Sequence, residues 1–274
     1  MENARTTYIE VINRPDPGVR FSAALFDFDG TLSLIREGWQ QVMTPYFADV
    51  LMKTAAHGAY DEERNNAEEF IDILTGKQTI YQCMRLADEV KKRGGEPLPA
   101  REYKNEYLKR LAERIKDRKT NLKNGAARPE DFLVTGAAEF LNALTLKNVS
   151  VYLASGTDLC DVLEEAALLN LTRYFDKNIF GAVDGRLDCS KETIIDEILN
   201  DKLTDGGYLL GFGDGYVEIE LIKKAGGYAV GVASDEKKRG RIDQKKRGRL
   251  VAAGADAIIP DFSGSEALIN FLNI

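Results

Sequence analysis

Short apolar runs that stop at small and polar residues punctuate the chain. Ala23–Phe26, Val149–Ala154 and Tyr208–Phe212 are the clearest, and Tyr228–Val232 and Ala257–Ile259 repeat the pattern more weakly. Runs this short, with little polar alternation, suit strands buried on both faces of a parallel sheet. Between them the apolar residues fall at helical spacing, over Asp158–Leu169, Lys191–Leu199, Val217–Ala225 and Ser265–Leu272. Alternating strands and helices build right-handed βαβ units, so the expected core is an α/β fold on a doubly wound parallel sheet.

From Leu34 to Leu133 the pattern changes. Apolar residues recur at helical spacing within Glu62–Ile73, Thr79–Arg93 and Arg101–Lys119, for example Leu108, Leu111 and Ile115. The stretch Gly94-Gly95-Glu96-Pro97-Leu98-Pro99 separates the last two helices, and no strand-like run interrupts the block. It lies between the first two of these strands. The expected organisation is therefore a core of residues 1–33 and 134–274 with an all-helical insertion, 34–133.

Charge and composition narrow the picture. The 274 residues are 44% hydrophobic, enough for a buried core. Lys and Arg number 37 against 44 Asp and Glu, a net charge of −7, while the insertion holds 18 basic and 17 acidic side chains. The acidity thus belongs to the sheet portion, and a protein so charged is a poor match for nucleic acid or an anionic membrane. Cys83, Cys160 and Cys189 form no CxxC pair, which argues against a disulfide framework or a thiolate zinc site. Residues 1–17 carry five charges and no apolar stretch typical of a signal peptide. No apolar run approaches the about 20 residues that cross a bilayer. A cytoplasmic protein is expected.

The polar clusters that end three of the strands carry the candidate chemistry. The first strand runs into Asp27-Phe28-Asp29-Gly30-Thr31, where alternation points Asp27 and Asp29 the same way. The second runs into Ser155-Gly156-Thr157-Asp158, and a later one into Gly213-Asp214-Gly215-Tyr216-Val217-Glu218. In an open parallel sheet these clusters share the carboxyl edge, where ligands bind. Taken singly, each has an ordinary reading: an Asp pair in a turn, Ser155 capping the next helix, Asp214 in a glycine turn. Together they gather carboxylates that repel one another without a cation, and an all-oxygen set favours a hard ion such as Mg²⁺.

At these residues the chain resembles the haloacid dehalogenase superfamily, and within it phosphatases. Asp27-Phe28-Asp29-Gly30-Thr31 resembles the first motif, DxDGT. Ser155 is similar to the second, Lys191 to the basic third, and Gly213-Asp214 with Glu218 to the fourth, GDxxxD, with Glu where many members have Asp. The resemblance covers 22–33 and about 134–260. The insertion matches in placement and helical character the cap of members similar to phosphoglycolate phosphatases. It implies that Asp27 is the nucleophile that forms an aspartyl-phosphate and that Asp29 is the general acid and base. It further implies Mg²⁺ on Asp27, the Asp29 carbonyl and Asp214, with Glu218 reaching the metal through water. Ser155, Gly156 and Lys191 are then the phosphate-binding groups.

The expected function is hydrolysis of a small phosphorylated metabolite, a sugar phosphate or a phosphoglycolate-like acid. A phosphomutase of the same superfamily and a non-enzymatic binding protein on the same fold are the alternatives. A dehalogenase fits less well, because it needs neither metal nor Asp29 as proton donor. His57, the single histidine, lies in the insertion with no GxSxG motif anywhere, against a Ser-His-Asp hydrolase. The basic stretch from Lys237 to Arg249 reads as a solvated loop and helix anchored by Ile242 and Leu250 rather than as a nucleic-acid site. Trp39, Tyr46 and Phe47 either line the substrate cavity or pack the first helix of the insertion.

Overall fold

The computed structural model describes residues 9–183, 191–202 and 209–274. Among these, seven strands form one sheet: β1 (Glu10–Val11), β2 (Ala23–Phe26), β3 (Ser150–Asp158), β4 (Ile179–Ala182), β5 (Leu209–Gly213), β6 (Tyr228–Val232) and β7 (Ala257–Ile259). Their order is β1-β7-β6-β5-β2-β3-β4. Six are parallel, and β1 alone pairs antiparallel, Glu10 opposite Ile258. The five expected strands are all present. The edge strands β1 and β4 are additions; both are short, and β4 contains Gly181, so neither carries an apolar run. Tyr208 and Cys189 lie outside the described residues.

β2 occupies the centre because every position of Ala23–Phe26 is buried. Phe26 stacks on Phe212 of β5 at 4.6 Å between ring centres, and Phe140, Phe175 and Phe262 close the same face. That face is covered by α5 (Ala137–Leu146), α6 (Leu159–Leu168), α7 (Thr172–Phe175) and α11 (Ser265–Phe271). The opposite face, with Leu25, Tyr152 and Leu209, packs on α8 (Lys191–Lys202), α9 (Tyr216–Lys224) and α10 (Gln244–Ala252). Helices on both faces are the doubly wound arrangement that two-sided burial predicts.

Four helices lie between β2 and β3: α1 (Gln40–Leu51), α2 (Tyr60–Ile73), α3 (Thr79–Lys92) and α4 (Ala100–Lys123). Phe47 of α1 stacks on Phe70 of α2 at 5.8 Å. Cys83, Leu86 and Val90 of α3 share one buried cluster with Tyr103, Tyr107 and Leu111 of α4. Gly94 sits at φ 70° in the break between these two helices. The chain leaves and re-enters the sheet region side by side. Ser33 and Leu133 form an antiparallel bridge, flanked by Leu34 N–H to Phe132 O at 2.8 Å and Val134 N–H to Leu32 O at 2.9 Å. None of the described helices is long and apolar enough to cross a membrane.

Candidate active site

Asp27 follows β2 directly, its N–H bonded to the Phe212 carbonyl of β5 at 2.9 Å, so the strand pairing continues into the site. Its Oδ1 accepts from Lys191 Nζ at 2.6 Å, and Oδ2 from the Thr31 hydroxyl at 3.4 Å. Lys191 opens α8 and reaches the edge from the far face of the sheet. It also contacts Glu218 in the first turn of α9. Burial pushes the Asp27 carboxyl well above the ordinary range; Lys191 opposes this, while Glu218 and Asp214 add to it. Burial works against the Lys191 ammonium, but Asp27 and Glu218 outweigh it and hold its pKa above the usual value.

Asp29 takes a 2.8 Å hydrogen bond from the Thr157 hydroxyl on Oδ2. Its Oδ1 is buried with no hydrogen bond, 3.9 Å from Arg36 Nε. Arg36 is in turn held by Glu165, with bonds of 2.9–3.1 Å, and by Asp161 at 2.8 Å. Burial raises the Asp29 carboxyl, partly offset by Arg36 and Thr157. Ser155 is buried within β3, and its Oγ accepts from the Thr157 N–H at 3.1 Å. A Cβ on Gly156 would stand 2.6 Å from the Lys77 carbonyl, so the α2–α3 connection rests directly on the second polar cluster.

Asp214 follows β5, and Lys246 Nζ binds its Oδ2 at 2.7 Å. Glu218, expected near a metal, lies against Lys191, with its Oε2 buried and unpartnered. Asp27, Asp29, Ser155, Gly156 and Asp214 line one cavity, roofed from the insertion by Trp39, Met43, Gln82 and Tyr107. Trp39 therefore faces the cavity, whereas Tyr46 and Phe47 are packed inside the insertion. His57 is exposed and bonded to Gly58 O.

The donor set suits a hard divalent ion. Asp27 and Asp214 are both carboxylates, and the nearby Asp214 helps push the Asp27 carboxyl upward. No group of three His, Cys, Asp or Glu side chains stands ready to hold a metal among the described residues. Two carboxylates, a main-chain carbonyl, water and a substrate phosphate are the kind of shell Mg²⁺ accepts.

Several site residues had no motif to mark them. Thr157 shares the strand alternation of Ser155, a signal that was present in the sequence. Arg36 is a charge directly after the apolar Leu34-Ile35. Lys246 sits in the basic stretch and Glu236 directly before it, and the expectation of a solvated loop and helix anchored by Ile242 and Leu250 needs one correction. Leu250 is indeed buried and Ile242 packs against the core, but Lys246 is half-buried as well, its side chain 12% exposed, because Asp214 and Glu236 compensate its charge.

Among curated protein sequences none matches the chain. Solved structures share its fold throughout. A predicted phosphoglycolate phosphatase from Haemophilus somnus is 17% identical, with a TM-score of 0.58, covering 92% of this chain and 99% of its own. CbbY from Rhodobacter sphaeroides, solved with phosphate, is 18% identical with a TM-score of 0.58, covering 93% and 100%. A β-phosphoglucomutase-like protein from Thermotoga maritima is 18% identical with a TM-score of 0.51, covering 91% and 99%. The profile of the haloacid dehalogenase-like hydrolases matches residues 21–226, from the strand that carries Asp27 to the end of the helix that carries Glu218. By that match the chain belongs to the haloacid dehalogenase-like hydrolase family.

Proposed function

We propose that the protein is a Mg²⁺-dependent phosphatase of small phosphorylated metabolites. The observation that carries this reading is the convergence of Asp27, Asp29, Ser155, Lys191 and Asp214 at one sheet edge beneath the α1–α4 block. We take that block, residues 34–133, as a cap.

Asp27 is the nucleophile: a carboxylate oxygen forms a bond to phosphorus as the ester P–O bond breaks, giving an aspartyl-phosphate. Asp29 gives its proton to the leaving alkoxide and later takes one from the water that attacks the aspartyl-phosphate, releasing inorganic phosphate and restoring Asp27. Burial favours the protonated Asp29 needed in the first half, and the Thr157 hydroxyl fixes its orientation. Ser155, the Gly156 N–H and Lys191 bind the phosphoryl oxygens. Lys191 is shared with Glu218, which aims the ammonium at Asp27. Asp27, the Asp29 carbonyl and Asp214 would hold Mg²⁺, which would offset the repulsion of the anionic Asp27 and phosphoryl group. The cap walls, Trp39, Met43, Gln82 and Tyr107, mix apolar and polar surface around the leaving group.

A chromogenic phosphate ester tests the reaction. Wild-type protein should release phosphate with Mg²⁺ and lose that activity in chelator. Asp27→Asn should lose essentially all turnover while melting near the wild-type temperature. An Asp27→Asn protein that keeps a substantial rate removes the nucleophile assignment.

A further inference from the structure

Two lysines, Lys191 buried and Lys246 half-buried, divide the acids of this site. Lys191 bridges Asp27 and Glu218, as described above. Lys246 does the same on the other side: Nζ lies 2.7 Å from Asp214 Oδ2 and 2.7 Å from Glu236 Oε1, with the Ser234 hydroxyl at 3.4 Å. The position is built by the backbone. Asp243 caps α10, accepting from the N–H groups of Lys245 and Lys246 at 2.8 and 2.9 Å. Asp243 N–H bonds Ala233 O at 2.9 Å and Asp235 N–H bonds Arg241 O at 3.0 Å, which fold the loop between β6 and α10 onto itself. The Ser234 hydroxyl then donates to the Gly30 carbonyl at 2.8 Å, tying this loop to the nucleophile turn. Side chains of a first helical turn lean toward the helix N-terminus, which sends Lys246 into the sheet edge.

The ammonium thus occupies a carboxylate that a divalent ion would need. An ammonium and a divalent ion on the same carboxylate repel each other. Glu236 supplies a second partner, so Lys246 can give up Asp214 without leaving a half-buried charge unpaired. We propose that Lys246 is a tethered cation that holds Asp214 in the metal-free protein, transfers to Glu236 when a divalent ion binds, and thereby sets the ion's affinity. This rests on the metal reading given under the proposed function, and concerns Lys246 and Glu236 as positioning residues.

Calorimetric titration with Mg²⁺ alone tests it without turnover. Lys246→Met should bind Mg²⁺ about tenfold more tightly, since a neighbouring positive charge is removed. Glu236→Gln should bind several-fold more weakly, because the ammonium is left with Asp214 as its carboxylate partner. In the double variant the Glu236→Gln loss should largely vanish, because there is no ammonium left to receive; simple charge addition predicts the same loss in both backgrounds. Lys238→Met, at an exposed position of the same loop, should match wild type. Wild-type binding with Lys246→Met unchanged or weaker, or with additive variants, overturns the proposal and leaves the metal reading standing. No binding by wild type or by Lys246→Met overturns both.

Discussion

At Gly30 the backbone turns with φ of 80° directly between Asp29 and Thr31. A Cβ there would lie 2.3 Å from Asp214 Oδ2 and 3.2 Å from Glu236 Oε1. Glycine therefore serves two needs: it adopts a left-handed conformation, and it lets the fourth-motif carboxylate approach the first. Gly30→Ala should lower stability by about 2 kcal/mol through backbone strain, read by urea denaturation. It should also weaken Mg²⁺ binding, because Asp214 is pushed from its place. A variant as stable as wild type and unchanged in Mg²⁺ binding would contradict this account. The resemblance to DxDGT had already singled out this glycine. Its contact with Asp214, some 180 residues later in the chain, depends on β2 and β5 being neighbours.

Among the elements, α2 and α3 are joined by a charged cluster rather than by apolar packing alone. Arg93, at the end of α3, binds Glu63 of α2 at 2.9–3.1 Å and Glu89 at 2.6 Å. The Gly58 N–H adds a 2.9 Å bond to Glu63. Burial tends to raise the Glu63 carboxyl, but hydrogen bonds from Arg93, Gly58 and Asn66 outweigh it and hold the pKa below the ordinary 4.5. A lowered acid pKa contributes stability above the unfolded value and loses it as pH falls through the folded one. Glu63→Gln should thus cost about 1–2 kcal/mol near neutral pH. The difference from wild type should shrink as pH drops below 4.5. Thermal melts of both proteins across that range check the sign; a gap that widens on acidification would refute it.

The element α1 shows where patterning stops being readable. Gly38 and Pro45 break the helical signal of the segment that follows Leu34, yet Gln40–Leu51 is helical with Pro45 inside it. Burial of Met43, Phe47 and Leu51 against α2 and the rest of the block outweighs the cost of the proline. β1 is similar: two residues have no period, and Glu10–Val11 become a strand because β7 offers an open edge.

For the whole molecule, the α1–α4 block lies over the sheet edge and lines the cavity there. The Lys77 carbonyl rests on Gly156, the Tyr216 hydroxyl bonds Ile73 O at 2.5 Å, and Lys245 of α10 binds Asp72 of α2 at 2.6 Å. The chain crosses between the block and the sheet region at Ser33 and Leu133, which pair with each other; if the block is the cap proposed above, these crossings are where it would hinge. On the function proposed above, such a roof should admit small phosphates and exclude folded macromolecules. Sugar phosphates or phosphoglycolate-like acids should be turned over at least tenfold faster than a phosphoprotein at equal phosphate concentration. Comparable rates would mean that the cap does not cover the working site.

The alternation of strands and helices, the placement of the helical insertion and the polar clusters after β2, in the second half of β3 and after β5 are legible along the chain. These are local properties: periodicity, glycine turns and the residues immediately after an apolar run. Which charges face one another follows from the packing of distant segments. Lys246 is one of several lysines in a basic stretch until α10 packs beside β6 and turns it toward Asp214. Arg36 is one charge after an apolar run until Glu165 and Asp161 of α6 bury it beside Asp29. Charge pairing depends on distances between residues far apart in the chain, and only the packed sheet and its helices bring those distances within reach of a hydrogen bond.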